Sequence, residues 1–228
     1  MKARTDNPII LYKFRPINPL DWIADILLSQ RLYCPRYFEM NDPFEGTGLV
    51  LWKNPNNPDQ KYFVPTSPDD LLGPEDENNF RICSLSGSYN DIRLWSHYAG
   101  GHRGIAIEID FKGVRNPPVE INYLERLKEY DSTLNESPTA RGLLSNKTEH
   151  WQHENEYRIF TDNQFYDISG RIMSVLLGPR CRSKEANLIK RLVPDGVPVI
   201  HTRLNELTVQ VERVDQGKNH RTKQSIGR

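Results

Sequence analysis

The sequence predicts one α+β domain, with a mixed β-sheet that is strongly bent or split and helices along its flanks. Two patterns and the composition point there. Short runs rich in β-branched and aromatic residues recur along the chain, several with period-two alternation and punctuated by proline and glycine. Between them lie a few stretches whose apolar residues recur at helical spacing. Sixteen Pro, 14 Gly and ten Tyr in a polar chain of 228 residues suit a loop-rich α+β protein and not a helical bundle. That length favours one domain, assigned here to residues 1–214. Thirty basic residues balance 30 acidic ones, so no whole-protein field steers the chain to nucleic acid or membrane.

The first strand is Ile9 to Arg15, stopped by Pro16, which leaves Arg15 at its C-terminal rim. Asn18 is expected to cap a helix with Pro19 in its first turn and a buried stripe of Leu20, Ile23, Ile26 and Leu27, with Trp22 beside it. Arg31 to Cys34 is extended. Pro35 to Gly46 mixes turn formers with three aromatics and three acids, which predicts a loop packed on the body as a site wall or an anchored Ω-loop. Leu49 to Trp52 reads as a strand. Residues 54–79 carry five prolines among Asn, Asp and Glu and are expected to be an exposed loop insertion.

Phe80 to Ser86 is strand-like, with Ser84 and Ser86 on one face. Asn90 is placed to cap a helix over Asp91 to Ala99, which Gly100-Gly101 ends. Gly104 to Phe111 alternates most clearly, with Ile105, Ile107, Ile109 and Phe111 on the buried face. Val119 to Leu124 is a further strand, and 139–150 a weak helix. Arg171 to Gly178 is apolar on both faces and predicts a central strand. Ser183 starts a helix, and Val197 to Thr202 and Leu207 to Val214 are the last strands. Residues 215–228 read as a disordered basic tail.

Cys34, Cys83 and Cys181 are far apart and odd in number, so neither a disulfide framework nor a zinc knuckle is expected and a cytoplasmic setting fits best. No apolar run approaches membrane-spanning length.

The densest chemistry lies in Trp151 to Phe160. In an extended chain Glu154, Glu156 and Arg158 share one face. Two acids so close repel, and are tolerated only if solvated or matched by a cation or a cationic substrate. A helix end with Glu154 and Arg158 as an i,i+4 pair is the alternative. Two further clusters stand out: Arg15, and Ser84-Leu85-Ser86 leading into Trp95-Ser96-His97-Tyr98. An arginine forks onto phosphate. Strand hydroxyls can position a ribose or an amide, and a carboxylate can stabilise an oxocarbenium ion. Together they suit cleavage of an N-glycosidic bond beside a pyrophosphate, as in NAD. Each also has an ordinary reading, as a surface salt bridge, strand hydroxyls or a solvated face.

Leu11-Tyr12-Lys13-Phe14-Arg15, Asn41 to Gly46, Leu94 to Ala99, His102-Arg103-Gly104 and Trp151 with Glu154 to Arg158 resemble, in order, a widespread bacterial family catalogued as a domain of unknown function. A looser resemblance is to ADP-ribosyltransferases of the arginine–serine–glutamate type. Their first-strand Arg, Ser-x-Ser strand and Glu-x-Glu pair match Arg15, Ser84-Leu85-Ser86 and Glu154-Asn155-Glu156. That resemblance implies an ADP-ribosyltransferase-like fold and NAD as substrate. Arg15 would hold an NAD phosphate, Ser84 and Ser86 would surround the nicotinamide ribose, Glu156 would hold that ribose and Glu154 would activate the acceptor. Trp95 and His97 join the expected NAD-binding residues. Tyr12 with Tyr98 offers a second nicotinamide clamp, nearer the histidine–tyrosine–glutamate type. Ser-Leu-Ser in place of Ser-Thr-Ser, and Arg158 just beyond the acids, depart from the pattern. The family setting implies a toxin or anti-phage role, with an acceptor macromolecule (protein or nucleic acid) and an antitoxin or defence-system partner. Two rival readings are a recognition module walled by Trp95, Tyr98, Trp151 and the Asn41–Gly46 loop, and a metal-dependent hydrolase using His150 and His153. No metal is expected under the main reading.

Overall fold

The chain places its longest strands side by side so that alternate residues feed two apolar cores. The computed structural model describes residues 9–40, 42–54, 56–73, 80–131, 134 and 136–214. The N-terminal half runs β1 (Ile10–Arg15), α1 (Leu20–Leu27), β2 (Arg31–Tyr33), β3 (Gly48–Asn54), β4 (Asn57–Thr66), β5 (Arg81–Ser86), α2 (Ile92–Tyr98) and β6 (Ile105–Asp110). Then come β7 (Val119–Glu120), β8 (Asn122–Leu124), β9 (Glu129–Asp131), α3 (Ala140–Leu143), β10 (Asn146–Thr148) and a 3-10 turn over Glu149–Glu154. The chain closes with β11 (Glu156–Thr161), β12 (Phe165–Asp167), β13 (Ile172–Leu177), α4 (Ser183–Leu192), β14 (Val199–Asn205) and β15 (Gln210–Arg213).

These elements make a mixed α+β fold. The main sheet is continuous in the order β15-β14-β13-β6-β1-β5-β11-β7, with β13 and β14 parallel. Small sheets of β10-β8, β12-β2 and β4-β3-β9 stand beside it. Among the described residues the main sheet runs unbroken through eight strands, with three small sheets beside it.

On one face Leu11, Cys83, Leu85, Ile105, Ile107, Ile109 and Ile159 join α1 and α4 in the larger core. On the other, Tyr12, Phe14, Ala106 and Leu176 pack against Leu94 and Trp95 of α2. The alternation of β6 is the sequence signature of this arrangement. Gly104 is required at the mouth of β6, because a Cβ there would stand 2.2 Å from the Arg15 carbonyl oxygen.

Several boundaries differ from expectation. Pro19 precedes α1 and Asn18 makes no cap; Ile23, Ile26 and Leu27 are buried while Leu20 and Trp22 stay exposed. Asp91, not Asn90, caps α2, accepting the Arg93 N–H at 2.8 Å; the Asn90 carbonyl instead receives Val211 N–H. Ser183 is the first residue of α4, and Glu185 caps it by accepting the Arg182 N–H.

Within 54–79, expected as loop, residues 57–66 form β4 against β3. Proline is tolerated there because β4 is an edge strand, whose outward N–H groups need no partner. The helix expected over 139–150 stops at Leu143; Asn146 Nδ2 donates to the Gly142 carbonyl, and β10 begins at Asn146. The tail 215–228 lies outside the described residues. No helix among the described residues is long and apolar enough to cross a membrane.

Candidate functional site

β1 and β5 are neighbours that barely pair. β1 follows β6 along all of Ile10 to Arg15, but meets β5 in register only where Tyr12 stands opposite Ser86. Beyond that position a cavity of about 790 Å³ opens, lined by consecutive residues of both strands: Tyr12 to Arg15 and Ser84 to Ser86. Trp22 of α1, Tyr98 of α2 and Lys147 of β10 also line it, with Glu154 and Glu156 and with the acids Asp21, Asp25 and Glu39. The volume is that of a small-molecule or cofactor site. Lys13 bridges the unpaired gap, its Nζ donating to the Ser84 carbonyl at 2.7 Å.

Arg15 reaches the cavity from the end of β1. Its guanidinium stands 5.5 Å from the centre of the Trp22 ring, and its Nε is buried without a hydrogen-bond partner. Burial draws the Arg15 pKa below its ordinary value. A buried guanidinium N–H without an acceptor is costly, and an anion would supply the acceptor.

The acidic pair arises from a break in the chain and not from a straight strand. The 3-10 turn ends at Glu154, Asn155 takes the left-handed conformation at φ 44°, and β11 starts at Glu156. Glu156 and Arg158 follow as alternate strand residues, both buried. The repulsion is met from within the protein. Lys147 Nζ donates to Glu154 Oε2 at 2.7 Å and to Glu156 Oε2 at 3.0 Å. Arg158 clasps Glu156 through Nε at 2.7 Å and Nη2 at 2.9 Å, and its Nη1 donates to the Leu144 carbonyl. Nη1 also lies 2.6 Å from Glu45 Oε1, an ion-pair contact made by the loop the sequence marked as a site wall. The Tyr98 hydroxyl donates to Glu154 Oε1 at 2.5 Å, and the Glu156 N–H donates to the Tyr123 hydroxyl.

Burial works against the Glu156 carboxylate, but Arg158 and Lys147 outweigh it and hold its pKa at about 2. Burial likewise disfavours the Lys147 ammonium, and Glu156 and Glu154 more than restore it. Burial lifts Glu45 above the usual carboxylate range despite Arg158.

The two serines differ. Ser86 Oγ lies 2.9 Å from the Ser88 carbonyl and 2.7 Å from the Glu154 carbonyl, and accepts the Ser88 N–H. Its role is to tie the turn before β11 to β5. Ser84 Oγ makes no hydrogen bond of normal geometry, though it lies close enough to Glu156 to help keep that carboxylate ionised.

Seven of the expected residues thus meet at one cavity: Tyr12, Arg15, Ser84, Ser86, Tyr98, Glu154 and Glu156. The Tyr12 hydroxyl is committed to Glu108 at 3.0 Å. Trp95 and His97 do not line it. Trp95 is fully buried edge-on against Phe14 and donates to the Tyr89 carbonyl, because its helix turns that side to the core. His97 lies on the exposed side of α2. Lys147 was missed; it sits in a charged stretch with no pattern of its own, and only pairing of β10 with β8 sets it beside the acids. His150 and His153 join no cluster, and no group of three or more metal-ligating side chains gathers among the described residues. No protein-family model, curated protein or solved structure matches the chain.

Proposed function

We propose that the cavity binds NAD and that the protein is an ADP-ribosyltransferase-like enzyme. It cleaves the N-glycosidic bond of NAD and passes ADP-ribose to an acceptor, or to water. The observation that carries the reading is that Arg15, Ser84, Glu154 and Glu156, from distant parts of the chain, line one cavity between diverging strands. Arg15, with an unpartnered N–H beside the Trp22 ring, suits a pyrophosphate. Glu156, kept ionised, suits the sugar as positive charge develops on it. Glu154, held by Tyr98 and Lys147, suits the acceptor. The family resemblance adds a toxin or anti-phage setting with a protein or nucleic-acid acceptor and an antitoxin or defence-system partner.

One observation favours a second reading. Both Glu156 oxygens already accept from Arg158, and Lys147 shares one of them. A carboxylate so neutralised also suits a pocket that holds a nucleotide without cleaving it. Nicotinamide release by the purified protein separates the two. Under the enzymatic reading Glu156→Gln lowers release by about 10²-fold or more while NAD still binds. Binding without release in the wild type supports the recognition module, and absence of binding sinks both readings.

A further inference from the structure

Two of the three cysteines meet behind the cavity wall. Arg36 stands opposite Arg81 in an antiparallel bridge, and Ile82 N–H donates to the Pro35 carbonyl at 2.9 Å. Counting two residues back on one segment and two forward on the other brings Cys34 opposite Cys83. Arg81 Nη1 holds the Cys34 carbonyl at 3.1 Å, tying the same segments. Both side chains enter the same core. Directly opposed antiparallel residues lie about 4.5–5.5 Å apart at Cα, within the range a disulfide spans. The neighbours Pro35, Ile82 and Ser84 line the cavity, as does Lys13.

Lys13 makes the pair more than a packing detail. Its ammonium is buried, donates to the Ser84 carbonyl, and has no carboxylate partner among the described residues. Burial lowers the Lys13 pKa, and the Cys83 sulfur works against that shift. A hydrogen bond from Cys34 draws the Cys83 pKa down to about 6 against burial, and Lys13 and Arg15 draw it further the same way.

We propose that Cys34 and Cys83 are a redox modification site, which a peroxide closes to a disulfide. The Cys83 thiolate attacks one peroxide oxygen and expels hydroxide, leaving a sulfenic acid. Cys34 sulfur then displaces the sulfenic oxygen as water. The two sulfurs give up two electrons and the peroxide becomes two waters; the Cys34 thiol proton ends in one of them, and the proton that Cys83 had already released to solvent returns to neutralise the expelled hydroxide.

The test takes the reduced full chain, exposes it to hydrogen peroxide, blocks remaining thiols with N-ethylmaleimide after unfolding, and maps peptides without reductant. The expected product joins Cys34 to Cys83, reverts with dithiothreitol, and leaves Cys181 labelled. Cys34 and Cys83 both labelled, or oxidised singly, overturns the proposal. The measurement uses no NAD, so failure here is distinct from failure to release nicotinamide.

Discussion

Two carboxylate networks sit on the main sheet, and they are built differently. In the first, Glu108 of β6 accepts from Arg213 at 2.6 Å and from Tyr12 at 3.0 Å, and the Ser174 hydroxyl donates to its other oxygen. One acid meets one arginine, and the Arg213 side chain keeps 31% of its exposure. In the second, Glu45, Glu154 and Glu156 face Lys147 and Arg158, with every member nearly closed to solvent. Three acids against two cations in the interior is a costly way to join strands. The first network fastens the sheet at modest expense, whereas the second holds charge beside a cavity. That contrast sets the network whose acids line the cavity apart from the one that fastens the sheet.

Removing one cation from each network gives the largest test. Arg158→Met leaves Glu156 and Glu45 buried without their main partner, and is expected to destabilise the protein by about 3–5 kcal/mol. Arg213→Met leaves Glu108, 13% exposed, still accepting from Tyr12 and Ser174, and is expected to cost less, about 1–2 kcal/mol. Denaturant midpoints check both, and equal losses would erase the distinction.

The pH dependence sharpens it. The Glu156 pKa falls in the fold from 4.5 to about 2, so its contribution is full above pH 4.5 and is lost as pH drops toward 2. The Lys147 pKa is raised above 10.5, so its contribution is full below that pH and lost in stronger alkali. Unfolding free energy followed from pH 5 downward is expected to fall less steeply in Glu156→Gln than in the wild type. Parallel acid limbs would show that Glu156 is not held this way.

The smallest effect separates the serines. Ser86→Ala is expected to cost about 1–2 kcal/mol, since it frees buried backbone groups at the turn. Ser84→Ala is expected to stay within about 0.5 kcal/mol, since its hydroxyl makes no full hydrogen bond. If Ser84 serves the ligand, its alanine variant weakens NAD binding with the fold intact, read by calorimetry beside the melting curve.

Much of this was readable in one dimension, because local physics sets it. Ile105, Ile107 and Ile109 alternate, so β6 and its buried face follow from period two alone. Gly100 and Gly101 end α2 because each adopts a positive φ that other residues avoid. Arg15, Ser84 and Glu156 were identifiable as charged or hydroxyl residues on strands or strand ends, whereas Glu154 was identifiable only as an acid, since it closes a 3-10 turn. Pairing decided the rest. The weak contact of β1 with β5 opens the cavity, and no window of sequence contains both strands. Helix orientation turned Trp95 into the core and left Tyr98 at the wall. Lys147 became the counter-ion of the acids only when β10 docked on β8. The sequence by itself determined which residues carry charge and which strands alternate. The tertiary structure alone decided which charges share a cavity, because burial and Coulomb energy depend on distances between segments that the chain order does not contain.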